Sequence, residues 1–139
     1  MTELLRFGVS LPEKLLKEFD LYISQRKYSN RSEAIRDLIR DILVKREWFE
    51  NEKEVIGAII IVYDHHKREL VNKLISIQHD FGDLILSSQH IHINHNNCLE
   101  IIAVKGLSEK VRTLADSLKA IKGVKHATLS MSTTGMDLV

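Results

Sequence analysis

The chain has 139 residues, of which 44% are apolar and 28% charged, the balance of a water-soluble protein with room for one ordinary domain or two small ones. Lys and Arg number 20 against 19 Asp and Glu, a net charge of +1, so any nucleic-acid surface must be local or be built by joining several copies. The lone Cys98 excludes an internal disulfide framework and points to a reducing, cytoplasmic compartment, and no apolar run reaches the roughly 18 to 20 residues of a membrane span.

In chain order, Leu4 to Leu11 is rich in apolar residues that alternate loosely, and reads as one short strand. Pro12 follows at a helix start with Ser10 as a candidate cap, and Leu15, Leu16, Phe19 and Ile23 recur at helical spacing to about Arg26. After a break at Lys27 to Asn30, a second helix is predicted from Arg31 to Trp48, with Ala34, Ile35, Leu38, Ile39, Ile42 and Leu43 as its apolar stripe. Asn30 or Ser29 can cap it, and Glu33 lies in its first turn, where the dipole favours an acid. Strand, helix, helix is too small to fold alone, and a single strand leaves backbone groups unpaired. Two copies that pair their strands antiparallel solve both problems, and the resulting ribbon fits a DNA major groove.

Residues 1–48 are therefore expected to form a DNA-binding module, and the polar, acidic stretch 49–54 a short linker. Residues 55–131 read as strand 55–63, helix 67–79, strand 84–93, strand 98–105, helix 108–120 and strand 124–131. This βαββαβ order is the ferredoxin-like pattern. Ser108 is the expected cap of the second helix, and Gly123 lets the chain turn into the last strand. Two helices should cover one sheet face. Ile59, Ile61, Ile101 and Ala103 are assigned to the other, part of which is expected to pack on another subunit. Residues 132–139 read as a frayed tail.

The seven histidines are the compositional oddity. In His90-Ile91-His92-Ile93-Asn94-His95-Asn96-Asn97-Cys98-Leu99-Glu100, strand periodicity puts His90 and His92 on one face and Ile91 and Ile93 on the other. A hairpin loop at Asn94-His95-Asn96 sets His92 opposite Cys98 and His90 opposite Glu100, and puts Leu99 and Ile101 with Ile91 and Ile93 on the apolar face. Two imidazoles and a thiol side by side suit Ni, Zn, Cu or Co better than Mg or Ca, without choosing among them. Glu100 is better placed to accept an imidazole N–H than to ligate. His79, near the end of the first helix of this domain, is either a fourth ligand or a solvated histidine favoured by the dipole. His95 reads as a loop residue and His126 as a surface one. His65 and His66, followed by Lys67 and Arg68, read as a polar helix start or as contacts to DNA phosphates.

On the first strand Arg6, Gly8 and Ser10 share one face, while Phe7, Val9 and Leu11 share the face expected to pack on the two helices. Arg6 can pair bidentately with a guanine, Ser10 can meet a base edge, and Gly8 permits close approach. Asn30, Arg31 and Ser32 offer backbone N–H groups and a guanidinium to a phosphate.

Taken together, the run Asn30-Arg31-Ser32-Glu33-Ala34-Ile35-Arg36-Asp37, the pair Gln78-His79, the His90-x-His92 motif and Cys98-Leu99-Glu100 resemble the nickel-responsive repressors of bacteria and archaea known as the NikR family, over nearly the whole chain. The resemblance implies a homotetramer: two ribbon-helix-helix dimers flanking a core of four ACT-like domains. It implies Ni(II) held in square-planar geometry by His90, His92 and Cys98 of one subunit and His79 of its neighbour. It implies that the nickel-loaded protein binds a palindromic double-stranded operator and represses nickel-uptake genes. By the same match Glu33 and Asp37 help form a second cation site, such as one for K+, in the DNA complex, and Lys67 and Arg68 approach the DNA backbone. Two departures stand out. Gly8 replaces a polar residue of a familiar bacterial relative, and Asp80-Phe81-Gly82 follows His79 where that relative has further histidines.

Three other readings compete. A four-ligand protein site leaves no open position for water or substrate, which argues against a metalloenzyme. An ACT-like regulator answering to an amino acid, or to another transition metal, predicts stabilisation by that ligand rather than by nickel. A purely structural DNA binder predicts DNA affinity indifferent to metal.

Overall fold

The computed structural model describes residues 3–50 and 52–139, which divide into two compact units, one ending at Arg40 and the other starting at Asp41. In the first unit, residues 3–12 carry no strand. A strand exists through its hydrogen-bonded neighbour, and within one chain the Leu4–Leu11 segment has none among the described residues. Phe7, Val9 and Leu11, expected to pack on the helices, are exposed instead.

Helix α1 spans Glu13–Gln25, with Pro12 at its cap position rather than inside the first turn and with no side-chain cap, so Ser10 does not serve as one. Lys27 adopts φ 63° in the connection. Helix α2 spans Arg31–Phe49. Asn30 caps it as expected: its Oδ1 accepts the Glu33 N–H at 2.9 Å.

The second unit contains β1 (Glu54–Asp64), α3 (Arg68–Asp80), a 3-10 turn (Gly82–Leu84), β2 (Ile85–His92), β3 (Asn97–Leu107), α4 (Ser108–Lys119) and β4 (Val124–Met131). The order is the βαββαβ of the sequence reading. The strands form one antiparallel sheet in the order β2-β3-β1-β4. Val55, Ile59, Ile61 and Tyr63 of β1 and Cys98, Glu100, Ile102 and Val104 of β3 are buried on one face. Leu70 and Leu74 of α3 and Val111, Leu114 and Leu118 of α4 complete the same core.

That arrangement corrects one assignment. Ile59 and Ile61 lie in the core, paired with Ile102 and Glu100. The opposite face carries Ile56, Ala58, Ile60 and Val62 with Leu99, Ile101 and Ala103, all half-buried. Two further expectations fail on packing. Ser108 is the buried first residue of α4 rather than its cap, and its hydroxyl donates to the Glu50 carbonyl at 3.2 Å. Ser132 and Thr133 are tied down rather than frayed: the Trp48 indole N–H donates to the Ser132 carbonyl at 2.8 Å, and Thr133 donates to Glu47 at 3.1 Å.

Trp48 itself is fully buried in this core. It lies against Gly57, where a Cβ would meet the Ser130 carbonyl at 2.5 Å and the indole at 3.0 Å, so only glycine leaves room for ring and strand together. Among the described residues no helix is long and apolar enough to cross a membrane.

Candidate metal centre

The β2–β3 hairpin presents the candidate ligands. Residues 93–96 link the strands, the Ile93 and Asn94 N–H groups donate to the Asn97 carbonyl at 3.0 and 3.3 Å, and Asn94 Oδ1 accepts from the N–H groups of Asn96 and Asn97. This side-chain turn replaces the backbone ladder at the tip. The register follows: His92 pairs with Cys98, Ile91 with Leu99 and His90 with Glu100. His90 and His92 therefore share the face of Cys98 and Glu100, as the spacing requires.

Cys98 is a free, buried thiol, and its Sγ lies 4.0 Å from Nδ1 of His90. Glu100 is 2% exposed and surrounded by donors. Gln78 Nε2 donates to Oε1 at 3.1 Å, Tyr63 OH donates to Oε2 at 3.2 Å, and His90 Nε2 lies 3.1 Å from Oε1. A buried carboxylate is tolerated only with such partners. Tyr63 OH is also 3.3 Å from His90 Nδ1. Burial pushes the Tyr63 phenol well above its usual pKa, and the Cys98 thiol and the Glu100 carboxylate beside it push the same way. Glu100 thus sits within hydrogen-bond reach of the His90 ring. Tyr63 and Gln78 were not singled out for this role. The β1–β3 pairing, which sets Tyr63 opposite Cys98, and the packing of α3, which brings Gln78 to Glu100, reveal it.

The remaining histidines divide. His79 is exposed in the last turn of α3, and among the described residues no three His, Cys, Asp or Glu side chains of the chain converge tightly enough to hold a metal. His65 and His66, at the β1–α3 turn, both point Nε2 at the His95 carbonyl, at 2.9 and 2.8 Å, and the His65 ring meets His92 edge-on at 5.0 Å. His95 therefore contributes its backbone as an acceptor, and His126 is exposed on β4. The donor set of His90, His92 and Cys98 fits a borderline-soft transition ion: two imidazoles, a thiol and an accepting carboxylate behind one ring.

The residues expected to meet DNA lie on accessible surface. Arg6, Gly8 and Ser10 are exposed in the N-terminal segment ahead of α1, and Asn30, Arg31 and Ser32 are exposed at the start of α2. Arg31 grips Asp20 with Nε and an Nη, each 2.9 Å from a carboxylate oxygen, which holds the Asp20 carboxyl below its usual pKa. Lys67 and Arg68 are exposed at the start of α3. Glu33 pairs with Arg36 and Asp37 with Arg40, both at 2.9 Å, and Tyr28 OH donates to Asp37 at 2.8 Å.

Comparison with known proteins gives a consistent answer. Residues 56–132 match the NikR C-terminal nickel-binding domain, and residues 6–46 match the ribbon-helix-helix proteins of the copG family. A protein of Syntrophus aciditrophicus named "Putative nickel-responsive regulator" is 59% identical over 97% of this chain and 98% of its own length. Proteins of the same name from Chlorobium limicola and Thermococcus onnurineus are 55% and 50% identical, over 97% and 96% of this chain and 100% and 97% of their own. Among solved structures, an uncharacterized protein of Thermotoga maritima aligns with 57% of this chain and 98% of its own at a TM-score of 0.52 and 15% identity, a likeness of fold alone. With a ribbon-helix-helix module for DNA and a ferredoxin-like regulatory domain, the chain is a transcriptional regulator rather than an enzyme, and it belongs to the NikR family of nickel-responsive regulators.

Proposed function

We propose that this protein is a nickel-dependent repressor that binds a palindromic operator, of nickel-uptake genes, as a homotetramer with Ni(II) at the interface between subunits. The observation that supports it best is the cross-strand set His90, His92 and Cys98 on one hairpin, with His79 exposed at the end of a helix in the same domain. Three donors on one subunit leave a fourth position, and an exposed imidazole on a neighbour can fill it. When bound, nickel supplies coordinate bonds that cross-link the two subunits.

The chain's own part in the response is linkage. His79 is followed by Phe81, which is half-buried, and by the short turn that buries Leu84. Drawing His79 into a neighbour's site constrains this segment and biases how the DNA-binding modules are held. Arg6 and Ser10 then read base edges, while Asn30, Arg31, Ser32, Lys67 and Arg68 hold phosphates. If only some arrangements span both half-sites, metal and DNA bind with positive, reciprocal coupling. In the DNA complex Glu33 and Asp37, two carboxylates i,i+4 on α2, contribute to a second cation site, such as one for K+.

The test is an absorption titration of the reduced apo-protein with Ni(II), beside its His79→Ala and Cys98→Ser variants, followed by operator binding at fixed salt. The expected result is one Ni per chain, thiolate charge-transfer bands lost in Cys98→Ser, and operator affinity that collapses on chelation. Equal operator binding by apo and nickel-loaded protein would sink the reading, and a full nickel response in His79→Ala would remove that residue from the site.

A further inference from the structure

The Glu100 carboxylate lies deep in the regulatory domain, yet three different elements reach it: Tyr63 from β1, Gln78 from α3 and His90 from β2. A carboxylate accepts and does not donate. Nε2 of His90, 3.1 Å from Oε1, therefore carries its hydrogen when that ring is neutral. The other nitrogen, Nδ1, is left with a lone pair, and it is the one that faces the Cys98 sulfur at 4.0 Å. The ring's tautomer and its orientation are thus set by where Glu100 is held, and Glu100 is held by Tyr63 and Gln78.

We propose that Tyr63 and Gln78 are positioning residues of the metal centre: they clamp Glu100 so that it takes the Nε2–H of His90 and leaves Nδ1 as the atom that ring offers to the metal. The inference rests on the metal-centre reading above. Neither residue touches the metal.

The clamp has a built-in choice. The single Tyr63 hydroxyl hydrogen has two acceptors at nearly equal distance, Glu100 Oε2 at 3.2 Å and His90 Nδ1 at 3.3 Å. While Nδ1 is free the hydrogen is shared between them. Once Nδ1 is engaged as a ligand, the hydroxyl has only Glu100 to serve. Gln78 has the opposite character, a fixed donor to Oε1 whichever way Tyr63 points. Gln78 also precedes His79 on α3, so the helix that orders one subunit's His90 carries the imidazole offered to the neighbour.

The experiment uses the full-length protein and its Tyr63→Phe, Gln78→Leu and Glu100→Gln variants, with folding checked by Trp48 emission and thermal unfolding. In the reduced apo-protein, nitrogen-15 NMR of the imidazoles reads the His90 tautomer without any metal. Wild type should show Nε2–H, and the Glu100→Gln variant a mixture of tautomers. Tyr63→Phe and Gln78→Leu should weaken Ni(II) binding about 10- to 100-fold, the usual effect of removing a group that orients a ligand, while keeping one Ni per chain. In Tyr63→Phe, neutral His90 should keep its Nε2–H and lose the hydrogen bond at Nδ1, seen as a shift of the Nδ1 resonance. A wild-type His90 carrying Nδ1–H would overturn the proposal, as would folded Tyr63→Phe and Gln78→Leu proteins with unchanged imidazole spectra and unchanged nickel affinity. The metal-centre reading fails separately, through wild type that takes up no Ni(II) whatever its tautomer.

Discussion

Residues 3–40 and residues 41–139 face the same task, removing apolar side chains from water, and only the second succeeds within one chain. In the regulatory unit Ile59, Ile61, Ile102, Val104, Val111, Leu114 and Leu118 are fully inaccessible around a single contiguous core. Among the described residues of the N-terminal unit, the buried apolar ones are Ile23 and Ala34, while Leu4, Leu5, Phe7, Val9, Leu15 and Ile39 stay exposed. Apolar surface on this scale marks an interface rather than an accident of composition. The regulatory domain is thus a complete fold, whereas residues 3–40 leave apolar side chains for a partner to cover. In the homotetramer proposed above that partner is a second copy, whose N-terminal segment would pair with Leu4–Leu11.

The largest expected effect tests this asymmetry directly. Ile102→Ala deletes a side chain from a packed core, and should cost about 2–5 kcal/mol of stability, read by urea unfolding through Trp48 emission. Phe7→Ala removes an apolar residue that one chain leaves exposed. It should move the Trp48 transition by no more than about 0.5 kcal/mol, yet lower operator affinity by more than tenfold, because the ribbon can no longer pack. Comparable losses in the Trp48 transition from both variants would break the comparison.

Asn30→Ala sharpens it further. The Asn30 side chain satisfies the Glu33 N–H at the start of α2, and losing such a cap costs about 0.5–2 kcal/mol. Amide hydrogen exchange should quicken from Arg31 to Ala34 and stay unchanged around Trp48, at the far end of the same helix. Uniform quickening along α2 would mean that the two ends share one stability.

The same asymmetry decided what the sequence could reveal. The hairpin register was legible because Ile91, Ile93, Leu99 and Ile101 alternate with His90, His92, Cys98 and Glu100, and a one-residue slip would have put the two sets on the wrong faces. β1 was legible as a strand but not as two faces. Its run Val55–Tyr63 is apolar at nearly every position, so periodicity could not say that Ile59 and Ile61 point inward while Ile60 and Val62 point out. The Glu100 clamp was hidden for a related reason. Tyr63, Gln78 and Glu100 are far apart in sequence, and only strand pairing and the packing of α3 unite them. Ser108 looked like a cap because it precedes an apolar helical pattern, but the connector from Glu50 to Lys53 claims both its hydroxyl and its N–H. The N-terminal strand rests on apolar content and loose alternation alone, and residues 3–12 carry no strand in the single chain.

The smallest expected effect concerns the exposed fork between Arg31 and Asp20. Arg31 holds the Asp20 carboxyl below its usual value of 3.8, so the native state keeps this group ionised at acidities where the unfolded chain has taken up a proton. The stabilisation is therefore fully present above the unfolded pKa, and is lost as pH falls through the lower folded value. Both partners are solvent-exposed, so the effect is slight and screened by salt. In Asp20→Asn the N-terminal unit should lose this acid dependence, seen as a flatter pH profile below about pH 5 in the exchange rates at Arg31 to Ala34. The Trp48 transition, reporting on the regulatory core, should be indifferent. An Asp20→Asn profile that parallels wild type would mean that the fork, although well formed, contributes nothing to the fold of the N-terminal unit. Arg31 would then already be available for a phosphate.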